Sequence, residues 1–255
     1  MPILVFKLLL TPLLVAGITY ASRRWGPVIA GCLIALPISG GPITMFITIE
    51  QGLVFGTAVA ASNLMGMSAV AVFCFAYIHT ARFGALVAAP TAAGSFLLAV
   101  HLFSYLHLSV PAAAILGCVL LGISCLGGNG NEKPKPHNAH KWDIPVRIIA
   151  ATGLLLGLTA AAQNLGPVLS GLLGVFPVFT LVIAVFTHQE HGSSDARKLM
   201  RGVAFGCYCS MAFYVILPLS LPRLGLWPAF LLASLACVAI NLLLMKIAPR
   251  FGIKR

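Results

Sequence analysis

Two prolines deep inside apolar stretches are the residues of this sequence best suited to form a binding site. Pro37 and Pro177 each lie 11 residues after the glycine that opens their stretch. At about 1.5 Å per residue, each lies roughly 16 Å along a helix, near the middle of a lipid bilayer. A proline there removes a backbone hydrogen bond and clashes with the preceding turn. Paired interruptions indicate a solute site, because a new helix start has free N–H groups that suit an anion or a carbonyl-bearing solute.

Small and polar residues near the two prolines complete the candidate site. Ser39, Gly40 and Gly41 follow Pro37 and predict a broken helix, whereas Pro177 has no such neighbours and predicts a kink. The expected substrate-binding residues are Pro37, Ser39, Gly40, Gly41, Thr44, Asn63, Pro177 and Thr180. An alternative stays open, in which proline and glycine only bend these helices, as they often do in membrane proteins.

Glu50 and Glu190 close the two proline-containing stretches, and each is followed two residues later by a glycine. In straight helices both carboxylates would lie at the membrane interface, where they favour the start of the next helix. In broken helices they could lie deeper and carry protons. We favour the interfacial position, because a carboxylate in a bilayer is costly, and retain both residues as candidates for proton coupling.

The remaining polar groupings predict neither catalysis nor metal binding. Residues 188–191 (His-Gln-Glu-His) hold two histidines that could share a metal, but no further ligand is evident, so a solvated loop is favoured. No nucleophile elbow, phosphate loop or zinc-protease helix occurs in the sequence. We therefore expect no catalytic residue, no metal, no cofactor and no enzyme.

The composition explains what must position these residues. Of the 255 residues, 60% are hydrophobic and 8% are charged, against roughly 25% charged in soluble domains. This excludes a soluble or disordered protein, and apolar runs of about 20 residues exclude a β-barrel. The predicted fold is an all-α polytopic membrane protein with nine transmembrane helices, at 3–22, 26–49, 57–78, 83–103, 108–126, 144–162, 166–187, 199–221 and 227–245.

The basic residues predict the orientation of these nine spans. If the spans alternate, 14 of the 16 Lys and Arg residues fall on one side, and only Lys7 and Arg223 fall on the other. Excess Lys and Arg marks the cytoplasmic side. We therefore expect an outer N-terminus and a cytoplasmic C-terminus. The net charge of +11 is accounted for in this way, and nucleic-acid binding is not expected.

An internal repeat lies at an offset of 140 residues. Residues 26–52 and 166–192 align without gaps, with 10 identities in 27 positions. The glutamates weigh most, because Glu50 and Glu190 are two of only three in the chain. The match continues weakly to Gly66/Gly206 and Phe73/Phe213.

The repeat predicts two four-helix units in opposite orientations. A shift of five spans is odd, so the copies cross the membrane in opposite directions, which is the pattern of many secondary transporters. The expected organisation is a first repeat at 1–107, a linking helix with a cytoplasmic loop at 108–143, and a second repeat with a basic tail at 144–255. The alternative is that the inversion is only a record of duplication.

The second copy resembles the GlpM-like inner-membrane proteins. The resemblance lies in Gly171-Leu172, in 176–179 (Phe-Pro-Val-Phe), and in 190–192 (Glu-His-Gly) thirteen residues past the proline. The first copy keeps Gly31, Pro37, Glu50 and Gly52 but lacks the flanking aromatics. The chain looks like two fused copies of such a protein. The resemblance implies a bacterial inner (cytoplasmic) membrane location and supplies no mechanism.

Together these features predict a secondary transporter that moves a small solute by alternating access about the two interrupted helices. Its partners would be the lipid bilayer and an unidentified small solute, and a homo-oligomer is left open. Two other hypotheses stand beside it: translocation or modification of lipid intermediates, and a non-transporting accessory protein. A cleft lined by Ser39, Thr44, Asn63 and Thr180 would favour transport, and a solid bundle would favour the accessory protein.

Overall fold

The computed structural model describes residues 2–38, 40–106, 108–126, 143–163 and 175–247, and in these parts the chain is helical, with no strand. The α-helices are α1 Pro2–Trp25, α2 Pro27–Ile34, α3 Gly40–Gln51, α4 Leu53–Thr80, α5 Ala85–Phe103, α6 Val110–Leu126, α7 Asp143–Gln163, α8 Val178–His191, α9 Ser193–Leu224 and α10 Leu226–Ile247. A 3-10 turn at Ala81–Phe83 joins α4 to α5. The all-α fold predicted from the sequence is confirmed.

Several of these helices suit a membrane. The segments Leu53–Phe83, Ala85–Phe103, Ser193–Leu224 and Leu226–Lys246 are long and apolar enough to cross a bilayer, and α6 and part of α7 are shorter apolar helices. Large apolar side chains such as Val54 and Leu86 are 89% exposed, which suits contact with lipid. The chain therefore has the character of a multi-pass membrane protein.

Single glycines connect many of the helices. Gly26, Gly52, Gly84, Gly192 and Gly225 have φ between 75° and 96° and are the positive-φ residues of the described chain. With ψ near 180°, as at Gly52 and Gly192, this backbone conformation is accessible essentially to glycine alone. Each glycine ends one helix and starts the next with no loop between them.

The two long helices α4 and α9 form the centre of the molecule. They pack against each other, α5 and α6 pack on α4, and α2 and α10 pack on α9. Both begin before the predicted spans 57–78 and 199–221, because the first turns after Gly52 and Gly192 are helical although polar or exposed. Asp195 in the first turn of α9 complements the helix dipole.

The contact between α2 and α9 is a close approach of backbones. A Cβ at Gly31 would overlap the Leu199 carbonyl oxygen, and a Cβ at Gly202 would overlap the Val28 carbonyl oxygen. Small residues permit this approach, which is a common basis of helix association in lipid. The Cys32 thiol also donates to the Gly202 carbonyl at 3.4 Å. This interface holds the first half of the interrupted segment firmly against α9.

Candidate functional site

Each of the two prolines lies in a short non-helical turn immediately before a helix. Each turn contains the same two backbone hydrogen bonds, all of 2.8 Å. In the first turn Ile38 N–H donates to Leu36 O and Gly41 N–H donates to Pro37 O. In the second turn Val178 N–H donates to Phe176 O and Leu181 N–H donates to Pro177 O. With φ −79° and ψ 62°, Pro177 is the centre of an inverse γ-turn.

The break expected at Pro37 is therefore present, between α2 and α3. At Pro177 the expectation of a simple kink is wrong for the described residues, because residues 175–177 form a turn and α8 starts at Val178. The ψ of Pro177 near 60° is incompatible with a helix and is stabilised by the Val178–Phe176 bond.

A cavity of about 500 Å³ lies between the two turns. Its walls come from α1, α2, α3, α4, α7, α8 and α9 and from the two turns themselves. Six of the eight residues expected to bind solute line it: Pro37, Gly40, Thr44, Asn63, Pro177 and Thr180. Gly41 faces the Phe213 ring instead, where a Cβ would meet it at 3.4 Å, and Ser39 lies outside the described residues.

Thr44 and Asn63 form a hydrogen-bonded pair at the cavity wall. The Asn63 side-chain amide donates to the Thr44 hydroxyl at 3.0 Å, and this hydroxyl donates to the Gly40 carbonyl at 2.8 Å. The Tyr214 hydroxyl lies beside them, so close to Gly40 that a Cβ there would overlap it. These contacts tie the start of α3 to the middle of α4 and α9.

The rest of the lining is largely apolar. Ile34, Leu36, Met67, Val70 and Phe176 are examples, and no described lining residue carries a charged side chain. Sites of this size with apolar walls and a few fixed polar groups typically bind small molecules. The lining reaches Gln51 and Phe55, both exposed, at the α3–α4 turn, whereas no lining residue comes from the α8–α9 turn at His191–Ser193.

The two glutamates lie in different surroundings. Glu50 is exposed and has no ion-pair partner among the described side chains. The Glu190 carboxylate is 14% exposed and accepts a hydrogen bond of 2.7 Å from the guanidinium of Arg147, which is 2% exposed. The two glutamates therefore differ in how far the surrounding protein buries them.

Arg147 is the residue of this cluster that sequence reasoning missed. It lies in the first turns of α7, and its guanidinium also lies 5.0 Å from the centre of the Phe186 ring. His191 Nδ1 is 3.8 Å from the Glu190 carboxylate. A signal was available, because an arginine within an apolar span needs a buried acidic partner, and the sequence offers few.

His188 is not in a solvated loop, and that expectation is wrong. The residue is in the last turn of α8 and only 8% exposed, with Nδ1 at 3.3 Å from the Tyr77 hydroxyl of α4. Helix α8 continues to His191, and its last turn packs against Tyr77 of α4 and against α9, which is why His188 is buried. Within the described part of the chain, no group of three His, Cys, Asp or Glu residues could hold a metal.

Comparisons of this chain with protein-family models, with curated proteins and with solved structures find no match.

Proposed function

We propose that this protein is a secondary transporter of a small solute in a bacterial inner membrane, built from nine spans and two inverted repeats. One observation carries the proposal: a cavity of about 500 Å³ lies where two proline turns meet. Paired interruptions with a site between them are typical of transporters with inverted repeats. A cavity of this size also disfavours the alternative of a solid accessory bundle.

The positions of the lining residues support two equivalent halves. Seven pairs of lining residues are 140 positions apart: 35/175, 36/176, 37/177, 40/180, 63/203, 67/207 and 70/210. Only the proline pair is identical in sequence. The two halves therefore present the same helix faces and the same turns to the cavity with different side chains.

Reciprocal contacts support the same relation. A Cβ at Gly66 would meet Val175 at 3.0 Å, and a Cβ at Gly206 would overlap Ala35 and Cys32. Gly66 and Gly206 are 140 positions apart, and so are Ala35 and Val175. Each half thus inserts its proline turn against the equivalent glycine of the other half, as in an arrangement with two-fold symmetry.

The directions of α4 and α9, which are equivalent in the repeat, support an inversion. Near one end of their contact Asn63 lies at the level of Tyr214, because both neighbour Thr44 or Gly40. Further along, Ser68 of α4 and Met211 of α9 both lie beside Gly117. Residue numbers therefore increase along α4 in the direction in which they decrease along α9, so the two helices are antiparallel. Antiparallel equivalent helices fit a symmetry axis in the membrane plane.

Alternating access follows if the two halves exchange conformations. In this conformation the cavity extends to the α3–α4 turn, on the proposed outer side, and the Arg147–Glu190 pair closes the α8–α9 turn on the cytoplasmic side. Lys7 precedes Arg147 by 140 positions, as Glu50 precedes Glu190. The inward-open conformation would separate Arg147 from Glu190 and close the end of the cavity at the α3–α4 turn.

Reconstitution into liposomes tests the function. Proteoliposomes are incubated with a defined mixture of anionic, neutral and cationic small solutes, and their contents are measured by mass spectrometry. We expect at least one solute to enter faster than into empty liposomes, and the Pro37→Ala and Pro177→Ala variants to lose most of that uptake. Pro90→Ala is the matched control, because Pro90 is an exposed proline inside α5 and does not line the cavity.

Uptake of none of the solutes by correctly folded protein would refute transport. Uptake that is unchanged in both proline variants would refute the site between the turns.

A further inference from the structure

We propose that the cavity binds a small organic acid as its monoanion, with the carboxylate at the starts of α3 and α8 and an apolar body along the remaining wall. This inference rests on the proposed function and names its substrate class. It is carried by the balance of hydrogen-bond donors, acceptors and charges around the cavity.

Two helix starts converge on the cavity. Helix α3 has 12 residues and α8 has 14, and the first residues of both line it. At the start of α8 the N–H groups of Phe179 and Thr180 have no carbonyl partner among the described residues, whereas Val178 and Leu181 are bonded across the turn. Free N–H groups and two positive dipole ends favour a negatively charged or strongly accepting ligand atom.

The Thr180 side chain is an independent sign of a ligand. Thr180 lines the cavity and is 3% exposed, and its hydroxyl makes no side-chain hydrogen bond with the described residues. The other threonine of the lining near a proline turn, Thr44, already donates to Gly40 and accepts from Asn63. A hydroxyl at the wall of a cavity can donate to a ligand that occupies it, so Thr180 offers a donor beside the free N–H groups of α8.

Asn63 adds a second polar group with unused capacity. It is 8% exposed and lines the cavity, and its single side-chain bond is the one to Thr44. A side-chain amide carries two N–H donors, so one remains for a ligand. Backbone N–H groups, a hydroxyl and an amide donor thus face the same space, and an acceptor-bearing ligand matches them.

The charges of the lining restrict the ligand further. The described lining has no acidic side chain to hold a cation and no basic side chain to neutralise a dianion such as phosphate. Helix starts offer roughly half a unit of positive charge each, which suits one negative charge. Ile43, Met67 and Phe176 line the same space and would contact a short hydrocarbon body.

Binding to purified protein in detergent tests this class. Sodium butyrate, butyramide and butylammonium chloride are compared at constant ionic strength, by thermal unfolding and by titration calorimetry. They share one chain length and differ in charge. We expect butyrate to raise the unfolding temperature and to bind at least about tenfold more tightly than butyramide, since hydrogen bonds to a charged acceptor are stronger than those to a neutral one.

The Thr180→Val variant locates the carboxylate. It keeps the shape of the side chain and removes the hydroxyl, so we expect butyrate affinity to fall about tenfold. Thr48→Val is the matched control: Thr48 is also buried and is in α3, but its hydroxyl donates to the Thr44 carbonyl at 2.7 Å and does not line the cavity. We expect its butyrate affinity to equal that of the wild type.

The outcomes separate this inference from the proposed function. Equal binding of butyramide and butyrate, preference for butylammonium, or an unchanged affinity in Thr180→Val would overturn the carboxylate site while the uptake of another solute still supported transport. Failure of every solute to enter proteoliposomes would overturn the transport proposal itself, whatever butyrate does in detergent.

Discussion

The two turns that follow the two proline-interrupted segments have the same backbone and opposite surroundings. Gly52 and Gly192 have φ of 88° and 89°, and their N–H groups donate to Thr48 and His188 at 2.9 and 3.0 Å. Yet Glu50 before the first glycine is exposed, and Glu190 before the second is packed against a buried arginine. Two segments that share a glutamate and a glycine two residues later therefore form the same turn backbone in different surroundings.

The difference lies in what packs outside each turn. Helix α7 brings Arg147 onto the second turn, and Tyr77 of α4 contacts His188 there. At the first turn, Gln51 and Phe55 border the cavity. The glycine thus determines the backbone of each turn, whereas helices distant in sequence determine how accessible the turn is. Four experiments test how the two turns differ.

The largest effect is expected from the buried ion pair. Arg147→Met or Glu190→Gln removes one partner and leaves the other buried, which typically costs about 3–5 kcal/mol. The double variant Arg147→Met/Glu190→Gln should recover most of this loss. Chemical unfolding in detergent measures the free energies, and Glu50→Gln is the matched control with an expected change below about 0.5 kcal/mol. Equal losses at Glu50 and Glu190 would end the distinction between the turns.

A second effect is expected where α2 meets α9. A Cβ at Gly202 would overlap the Val28 carbonyl, so Gly202→Ala should force the backbones apart and cost about 1–3 kcal/mol. Ser62, which is 140 positions earlier, is exposed and donates to Ala58 in its own helix. Ser62→Ala should therefore change the unfolding free energy little. An unchanged free energy of unfolding in Gly202→Ala would show that the close approach of α2 and α9 does not stabilise the protein.

Cysteine labelling compares the accessibility of the two ends directly. Ile47 lines the cavity, whereas Thr187, 140 positions later, is 3% exposed and does not. In purified protein in detergent, with Cys118→Ser, Cys125→Ser and Cys207→Ala as background, Ile47→Cys should react with a water-soluble maleimide at least about tenfold faster than Thr187→Cys, because only an exposed thiol reacts readily. Adding Glu190→Gln should raise the labelling of Thr187→Cys. Equal rates at both positions would contradict a cavity open at one end.

The smallest effect is expected at Tyr77. Tyr77→Phe removes the 3.3 Å contact with His188 and keeps the ring, so the free energy of unfolding should fall by about 0.5–1.5 kcal/mol. Tyr214→Phe serves as a comparison on α9, where the hydroxyl borders the cavity at Gly40 rather than the closed turn. Faster labelling of Thr187→Cys in Tyr77→Phe alone would assign the Tyr77 contact to closure.

Much of the helical layout could be predicted, because it depends on local rules. Gly52 and Gly192 end helices since only glycine accepts their backbone angles, and the prolines interrupt helices since they lack an N–H. Hydropathy placed the starts of α4 and α9 too late, because it ignores exposed or polar first turns. The need of Arg147 for an acidic partner could be read from the sequence, but the choice of Glu190, 43 residues away on another helix, depends on the packing of α7 on α8.

Joining helices through single glycines has a mechanical consequence. Helices α4 and α9 have 28 and 32 residues, so at about 1.5 Å per residue they are rigid levers of roughly 42 and 48 Å. Because no loop separates the helices at Gly52 and Gly192, a tilt of α3 or α8 would also move the helix that follows it, α4 or α9. A displacement at one face of the membrane would then be felt at the opposite face without any loop having to refold.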